Sequence, residues 1–311
     1  MRFYFAPMEG VAGYIYRNAY HTYFHHIDKF FAPFIVTSPN GIRRMKEFKD
    51  ILPENNEDIR LIPQLLSNNV QDFIQAVNEI EAIGYDEINL NVGCPSGTVT
   101  SKGRGAGFLL KPKELDRFLD RIYQECRVKI SIKTRIGFYE PGEFEKILDI
   151  YNNYPVHELI IHPRTREDYY KNNVHLEMFE YAVRECRHEL CYNGDIFLKS
   201  DCDKIEKMFP EIECVMLGRG LLRNPSLVEN IIEDREEPDW KTIFAFHNRI
   251  YNDYKKILSG DKHILFKMKE IWLHMSCSSE DSEKFFKKIK KAKNLYEYDS
   301  IINELKAVKG Y

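Results

Sequence analysis

Residues 88–107 of the chain read "INLNVGCPSGTVTSKGRGAG", and the pattern changes abruptly at Gly93-Cys94-Pro95. The apolar alternation before this point predicts a β-strand that ends at the turn. A glycine-rich segment follows, and residues 112–126 then show the periodicity of a helix with a proline in its first turn. Cys94 is therefore expected at a strand end, either as a chemical group of a site or as a buried thiol beside a turn.

The same alternation of a short β-rich run and a helical pattern recurs along the chain at the spacing of a βα unit. The eight predicted strands are residues 2–7, 29–35, 61–66, 87–93, 129–136, 158–164, 189–195 and 213–220. Eight such units predict an α/β fold, a (β/α)₈ TIM barrel, whose usual size is about 250 residues. An open doubly wound sheet is the alternative, but it rarely contains eight such regular units.

The C-terminal part of the chain has helical periodicity only. Four helices are predicted, at 240–258, 263–275, 281–293 and 297–309. We therefore predict two domains, a TIM-barrel catalytic domain over 1–235 and a small all-helical domain over 236–311. The second is basic and the first is acidic, a weak indication of a polyanionic partner.

The overall composition excludes several classes of protein. The chain has 311 residues, of which 43% are hydrophobic, and a net charge of −3. No apolar run reaches the ~18 residues of a membrane helix, and the N-terminus lacks a signal-peptide layout. The seven cysteines include no C-x-x-C pair, which indicates reduced thiols and no metal site. We expect a cytoplasmic protein that does not bind membranes.

Polar or turn-forming residues stand at seven of the eight predicted strand ends, where the active site of a barrel lies. They are Pro7-Met8-Glu9, Gln64, Asn89/Asn91/Cys94, Lys133/Arg135, His162/Arg164, Asn193-Gly194-Asp195 and Gly218-Arg219-Gly220. The last two ends occupy the usual phosphate position of a barrel, and their glycines allow a close backbone approach. Each could also be a simple tight turn, but together they favour a phosphorylated cofactor.

Lys133 lies inside the predicted strand "KISIKTRI", so a side chain that points into the barrel would need a partner or a nearby anion. Beside a flavin, this cation would stabilise negative charge at N1–O2 of the reduced ring. The alternative is a lysine that faces solvent. A single histidine such as His162 is more often structural than catalytic, although its place at a strand end favours a role in the site.

In order along nearly the whole chain, these residues resemble the flavin-dependent dihydrouridine synthases, a family that reduces uridines in RNA. The matching segments are "APMEGVAGYIYR", "PQLL", "NLNVGCPSGTVTSKGRGAGFLL", "SIKTRIGF", "IHPRTREDYY", "CYNGDI" and "VMLGRGLLRNP". The sequence differs from the family's common H-G-R-T-x-x-Q pattern at Pro163 and Asp168. The C-terminal helices resemble the family's RNA-binding domain more loosely.

The resemblance implies a flavoenzyme with FMN as cofactor, NADPH as reductant and RNA, above all tRNA, as substrate, without an obligate protein partner. It makes Cys94 the catalytic proton donor to uracil C5 after a hydride has reached C6. It implies substrate contacts for Asn91, Arg135 and Arg164. The implied FMN-binding residues are Pro7, Met8, Glu9, Gln64, Lys133, His162, Asn193, Asp195, Gly218 and Arg219. The glycine-rich segment from Ser96 to Gly107 is expected to act as a lid.

A second candidate surface lies in "KFFKKIKKAK", residues 284–293. On a helical wheel, one stripe is apolar and a separate stripe carries Lys284, Lys287, Lys288 and Lys291, which suits contacts to phosphates. The alternative is an ordinary solvated helix. Two other functions also fit the sequence: a barrel flavoprotein that reduces a free pyrimidine or another small unsaturated substrate, and a non-catalytic RNA-binding protein.

Overall fold

A computed structural model describes residues 1–39, 41–42, 45–275 and 280–311. Cys277, one of the seven cysteines, lies outside these ranges. Ten β-strands form one sheet in which all the registered pairs are parallel. They are β1 (Arg2–Phe5), β2 (Lys29–Phe31), β3 (Ile35–Val36), β4 (Leu61–Ile62), β5 (Gln64–Leu66), β6 (Glu87–Val92), β7 (Lys129–Gly137), β8 (Leu159–Thr165), β9 (Leu190–Tyr192) and β10 (Cys214–Leu217).

The strand order β3-β5-β6-β7-β8-β9-β10-β1-β2-β4 describes a closed ring. The strands at the two ends of this order are β3 and β4. β3 follows β2 in one chain segment, and β4 precedes β5 in another. The interruption between β4 and β5 falls at Pro63, which has no N–H to donate to the ladder. With β2 paired to β4 and β3 paired to β5, eight chain segments close on one another. The predicted eight-stranded barrel is confirmed.

The helices of the described residues follow the predicted pattern. They are α1 (Tyr14–Tyr23), α2 (Met45–Ile51), α3 (Val70–Ala82), α4 (Gly97–Thr100), α5 (Pro112–Glu125), α6 (Glu143–Asn152), α7 (Leu176–Glu185), α8 (Lys199–Met208), α9 (Arg219–Arg223), α10 (Leu227–Ile232), α11 (Trp240–Ile257), α12 (Asp261–Met275), α13 (Glu280–Lys291) and α14 (Leu295–Val308). The C-terminal helices α11 to α14 are present as predicted. None of the described helices is both long and apolar enough to span a bilayer.

Contacts divide the chain into two compact units. The first consists of residues 1–9, 28–194 and 205–216, and the second of residues 10–27, 195–204 and 217–311. Within the first unit, strand side chains such as Tyr4, Phe31, Ile160 and Met216 form a buried apolar cluster. The barrel interior is thus packed and is not a pore.

A buried ionic cluster lies at the amino ends of the strands of the first unit. Lys29 Nζ lies 2.9 Å from Oε1 of Glu87 and 3.5 Å from Oε2 of Glu158. The hydroxyl of Tyr4 donates to Oε1 of Glu158 at 2.8 Å. All four side chains are buried, so this lysine is neutralised by carboxylates inside the protein. The sequence analysis did not predict this cluster.

The second unit has an aromatic core. Rings of α1 pack on Phe246 of α11, with centroids 5.1 Å from Tyr16 and 5.5 Å from Phe24. Deeper in the unit, Trp272 Nε1 donates to the Tyr298 hydroxyl at 2.9 Å. That hydroxyl also forms a hydrogen bond with Nε2 of His247, which is buried. Burial favours the neutral imidazole, and a neutral ring can accept this bond at Nε2.

The buried His247 predicts a pH dependence of stability. Burial lowers the pKa of His247 to about 4, below the ~6.5 expected in an unfolded chain. Its contribution to the free energy of unfolding is complete above pH 6.5 and is lost as the pH falls towards 4. Between pH 7 and pH 5 the loss is about 2 kcal/mol. Urea unfolding at both values measures it. In His247→Gln, which does not titrate there, the decrease should be smaller by that amount; an equal decrease would exclude His247 as the cause.

Candidate active site

Side chains at the carboxyl ends of the strands of the first unit surround a cavity of about 260 Å³. Nine of the residues predicted for the site line it: Pro7, Met8, Glu9, Gln64, Asn91, Cys94, Lys133, Arg135 and His162. The remaining lining residues are Pro33, Phe34, Gly93, Pro95 and Tyr170. Residues distant in sequence meet here because parallel strands bring their carboxyl ends to one rim.

A chain of buried carboxamides fixes the position of Cys94. Oδ1 of Asn91 accepts from the backbone N–H groups of Gly93 and Cys94, at 3.1 and 2.9 Å. Nδ2 of Asn91 donates to Oε1 of Gln64 at 2.8 Å, and Nε2 of Gln64 donates to Oδ1 of Asn89 at 2.7 Å. The chain continues from Asn89 to the hydroxyl of Ser131 at 2.9 Å. Three neighbouring strands thus hold the turn that carries the thiol.

The segment after Cys94, expected to act as a lid, is folded against Cys94 in this structure. It forms α4 and a 3₁₀ turn at Gly105–Leu110, of which residues 105–109 are buried. The N–H of Ala106 donates to the carbonyl oxygen of Cys94 at 3.0 Å. Gly105 has φ +54°, and a Cβ there would lie 2.8 Å from that same oxygen. Glycine at this position therefore allows the segment to pack directly under the thiol.

The environment of Cys94 favours the neutral thiol. Burial is the largest cause of a raised pKa of Cys94, and the negative charge of Glu9 adds to it. A hydrogen bond from the backbone of Ser96 and the charges of Arg135 and Lys133 oppose the rise without cancelling it. The side chain is half-buried and faces the cavity. It is suited to donate a proton and unsuited to act as a ready nucleophile.

Lys133 is a cation without a carboxylate partner. Its Nζ donates to Oδ1 of Asn193 at 2.6 Å, and Nδ2 of Asn193 in turn donates to the carbonyl oxygen of Met216 at 2.8 Å. In the described part of the chain Lys133 forms no ion pair. Burial, followed by the charge of Arg135, lowers the pKa of Lys133 to about 8, so the amine stays mostly protonated at pH 7.

The two arginines predicted to contact the substrate donate hydrogen bonds to backbone carbonyl oxygens of the protein. Arg135 donates to the carbonyl oxygens of Gly93 at 3.0 Å, Thr165 at 2.7 Å and Tyr169 at 2.8 Å, and so links two strand ends beside the cavity. Arg164 does not line the cavity. It is buried and donates from Nε and Nη2 to the carbonyl oxygen of Asn172, and from Nη1 to Nε2 of His162 at 2.9 Å.

Tyr170 lines the cavity and was not predicted as a site residue. Its ring stacks on His162 at 6.0 Å, and the guanidinium of Arg135 lies 5.2 Å from its centroid. Asp168 holds this loop: it accepts from the backbone and hydroxyl of Thr165, both at 2.8 Å, and from Asn172 at 2.7 Å. Burial opposes ionisation of Asp168, but these hydrogen bonds outweigh it and lower its pKa. In the sequence, the departures from the family pattern at Pro163 and Asp168 pointed to this loop but not to Tyr170 itself.

The remaining predicted cofactor residues, Asp195, Gly218 and Arg219, belong to the second unit. There Arg219 forms an ion pair with Asp195, and its guanidinium lies 5.4 Å from the ring centroid of Phe197. A Cβ at Gly220 would lie 2.1 Å from the carbonyl oxygen of Ile196. The two predicted turns therefore pack directly on each other, and glycine is required at that contact.

The four predicted RNA-binding lysines are all exposed on α13, while Phe285 and Ile289 are buried on another side of the helix. Two of the four have acidic partners. Lys287 pairs with Glu283 at 3.0 Å, and Lys288 pairs with Glu304 at 2.6 Å. Among the described residues, no group of three or more His, Cys, Asp or Glu side chains is arranged to hold a metal ion.

Comparison of the sequence with known protein families supports the same kind of site. A family model described as dihydrouridine synthase (Dus) matches residues 4–307. The chain belongs to the dihydrouridine synthase family. The resemblance drawn from the sequence segments is confirmed, and the match extends from the first strand of the barrel to the last described helix.

Other members of the dihydrouridine synthase family are similar over most of their length. A probable tRNA-dihydrouridine synthase of Staphylococcus aureus is 28% identical over 265 residues, which cover 82% of this chain and 78% of that protein. The probable tRNA-dihydrouridine synthase 2 of Bacillus subtilis is 22% identical over 264 residues, 82% of this chain and 79% of that protein.

Solved structures support the fold assignment of this chain. A variant of morphinone reductase in complex with tetrahydroNAD matches with a TM-score of 0.54 at 13% identity, over 78% of this chain and 89% of that one. Morphinone reductase with the same ligand gives 0.52 at 14% identity and the same coverage. At such identities the likeness concerns the fold alone.

The packing under Cys94 yields a test of the site's architecture. Gly105→Ala places a Cβ against the Cys94 carbonyl in a left-handed backbone conformation, and we expect a loss of about 1–3 kcal/mol in the free energy of unfolding. Gly142→Ala is the matched control, because Gly142 has a right-handed helical conformation and open space around its Cα. It should be neutral or stabilising by about 0.4–1 kcal/mol. Urea unfolding compares the two; equal effects would contradict the packing argument.

Proposed function

We propose that this protein reduces uridine to 5,6-dihydrouridine in tRNA, with FMN as cofactor and NADPH as reductant. The observation that carries the proposal is the pairing of two groups in one cavity: the neutral thiol of Cys94 and the half-buried cation of Lys133. Membership of the dihydrouridine synthase family and the names of its tRNA-modifying relatives support the same reaction.

The donor set of the cavity fits a flavin. Lys133 is half-buried, its hydrogen-bond partner is the neutral amide oxygen Oδ1 of Asn193, and among the described residues it has no carboxylate partner. The N1–O2 edge of reduced FMN would supply a negative charge. We propose that Pro7, Met8, Glu9, Gln64, Lys133, His162 and Asn193 of the first unit hold FMN. In the second unit, Gly218 and Arg219 suit an anion such as a phosphate, and Asp195 orients the Arg219 guanidinium through their ion pair.

When bound, FMN would accept a hydride from NADPH and transfer it to C6 of the uracil. The negative charge that then develops at C5 requires a positioned acid, and the Cys94 thiol donates its proton there. The hydrogen bonds from the Gly93 and Cys94 backbone to Asn91 keep that thiol in place. We propose that Asn91 and Arg135 also contact the uracil, whereas Arg164 orients His162 from behind the cavity.

We propose that the helical region, predicted as residues 236–311, provides the RNA contacts, with the barrel of 1–235 as the catalytic domain. The exposed lysines at 284, 287, 288 and 291 suit phosphates of a large RNA and have no evident use for a free base. A uridine within folded RNA must be turned outward to enter a barrel cavity, so a second binding surface is mechanically reasonable.

Single-turnover kinetics test the role of Cys94. Cys94→Ala should keep its FMN and its reduction by NADPH, while anaerobic reoxidation of the reduced flavin by unmodified tRNA slows by about 10²–10⁴-fold, since positioned acid catalysis is worth that much. The flavin absorbance follows both steps.

Two controls accompany this measurement. Cys126→Ala alters another half-buried cysteine, at the end of α5 and outside the cavity lining, and should reoxidise like the unaltered protein. Free uridine should not reoxidise the flavin at a comparable rate. Reoxidation of Cys94→Ala at the unaltered rate would refute the acid assignment, and rapid reoxidation by free uridine would indicate a reductase of small substrates.

A further inference from the structure

The junction between α13 and α14 presents an aromatic ring that the fold does not use. Tyr296, in the first turn of α14, is 85% exposed, the highest value among the exposed large hydrophobic side chains of the described residues. The buried side chains of α14 are Tyr298, Ile302 and Leu305, on another face of the helix. The Tyr296 ring therefore contributes little to the core, and its exposure requires another explanation.

The backbone around this ring is held at both helix ends. Oδ1 of Asn294 accepts from the N–H of Glu297 at 2.9 Å, and Oε2 of Glu297 accepts from the N–H of Lys293 at 2.8 Å. Nζ of Lys269 donates to the carbonyl oxygens of Lys290 at 3.1 Å and Ala292 at 2.6 Å. Folding thus fixes the backbone from which the Tyr296 side chain projects, which reduces the backbone entropy lost when a ligand binds.

Exposed lysines stand close to Tyr296 in the sequence. Lys287 and Lys288, in the middle of α13, are paired with glutamates. Lys290, Lys291 and Lys293 are exposed, and none of them forms an ion pair within the described ranges. These three lysines and Tyr296 fall within seven consecutive residues. We name these four residues the junction surface.

We infer that the junction surface binds an unpaired nucleotide of the tRNA, with the Tyr296 ring stacked on the base and the lysines contacting the flanking phosphates. An exposed aromatic ring among cations is the arrangement that binds single-stranded nucleic acid. Protein interfaces, in contrast, are depleted in lysine at their centre. The inference rests on the proposed function, because it takes tRNA as the substrate.

Filter binding of an unmodified tRNA transcript to the FMN-loaded full chain tests this surface. Tyr296→Ala should weaken binding by about 5- to 100-fold, the range for the loss of one stacked base, with the salt dependence unchanged. Tyr296→Phe should bind like the unaltered protein, because the ring remains. In Tyr296→Trp the exposed indole fluorescence should be quenched when the tRNA is added, whereas the two native tryptophans are buried.

The lysines are tested by the salt dependence. Replacing Lys290, Lys291 and Lys293 by Gln should lower the slope of log affinity against log salt by about 2 to 3, since each phosphate contact contributes roughly 0.7–0.9. The matched control replaces Lys111 and Lys256, exposed lysines that pair with Glu114 and Asp253, and should change the slope by less than about 1.

The results separate a failure of the proposed function from a failure of the junction surface. An unaltered protein that does not retain tRNA would refute the proposed function and the junction surface with it. If the unaltered protein binds tRNA and Tyr296→Ala binds equally well, the junction surface alone is refuted. A change in oligomeric mass of Tyr296→Ala by light scattering, with unchanged tRNA affinity, would overturn the inference in favour of a contact between copies of the chain.

Discussion

The register of three parallel strands is the constraint on which the active-site cavity depends. Gln64 of β5 lies beside Asn89 of β6, and Asn89 lies beside Ser131 of β7. In that register the carboxamides bond to one another, and the last of them, Asn91, holds the turn of Cys94. A slip by one residue would turn these side chains to the opposite face of the sheet and release the thiol.

Two lysines of the barrel, one buried and one half-buried, differ in how their charge is compensated. Lys29, at the amino ends of the strands, is neutralised by Glu87 and Glu158. Lys133, at the carboxyl ends, bonds to the neutral amide of Asn193. Because burying a charge is costly, the second arrangement suits a site that acquires its negative charge from a ligand. In the first arrangement, the carboxylates of the protein itself supply the negative charge that Lys29 needs.

Much of the fold follows from local patterns, and the eight strands could be predicted because apolar alternation and Gly/Pro turns are readable from one segment at a time. The residues that line the cavity could be predicted because parallel strands bring their carboxyl ends together. The Lys29 cluster could not be predicted, since its four members come from four segments that are distant in sequence. Tyr170 was missed because hydrogen bonds to Asp168 set the conformation of its loop. The packing of Gly105 against Cys94 could not be predicted, because glycines in a sequence indicate turns but not the partner that they pack against.

Mapping of dihydrouridine across the total RNA of cells tests the central claim most directly. Cells with the unaltered chain, without it, and with Cys94→Ala are compared in one experiment. The account predicts at least one dihydrouridine in tRNA that is present with the unaltered chain and absent in the other two. An identical profile in all three would contradict the claim that this cavity reduces uridine in tRNA through Cys94.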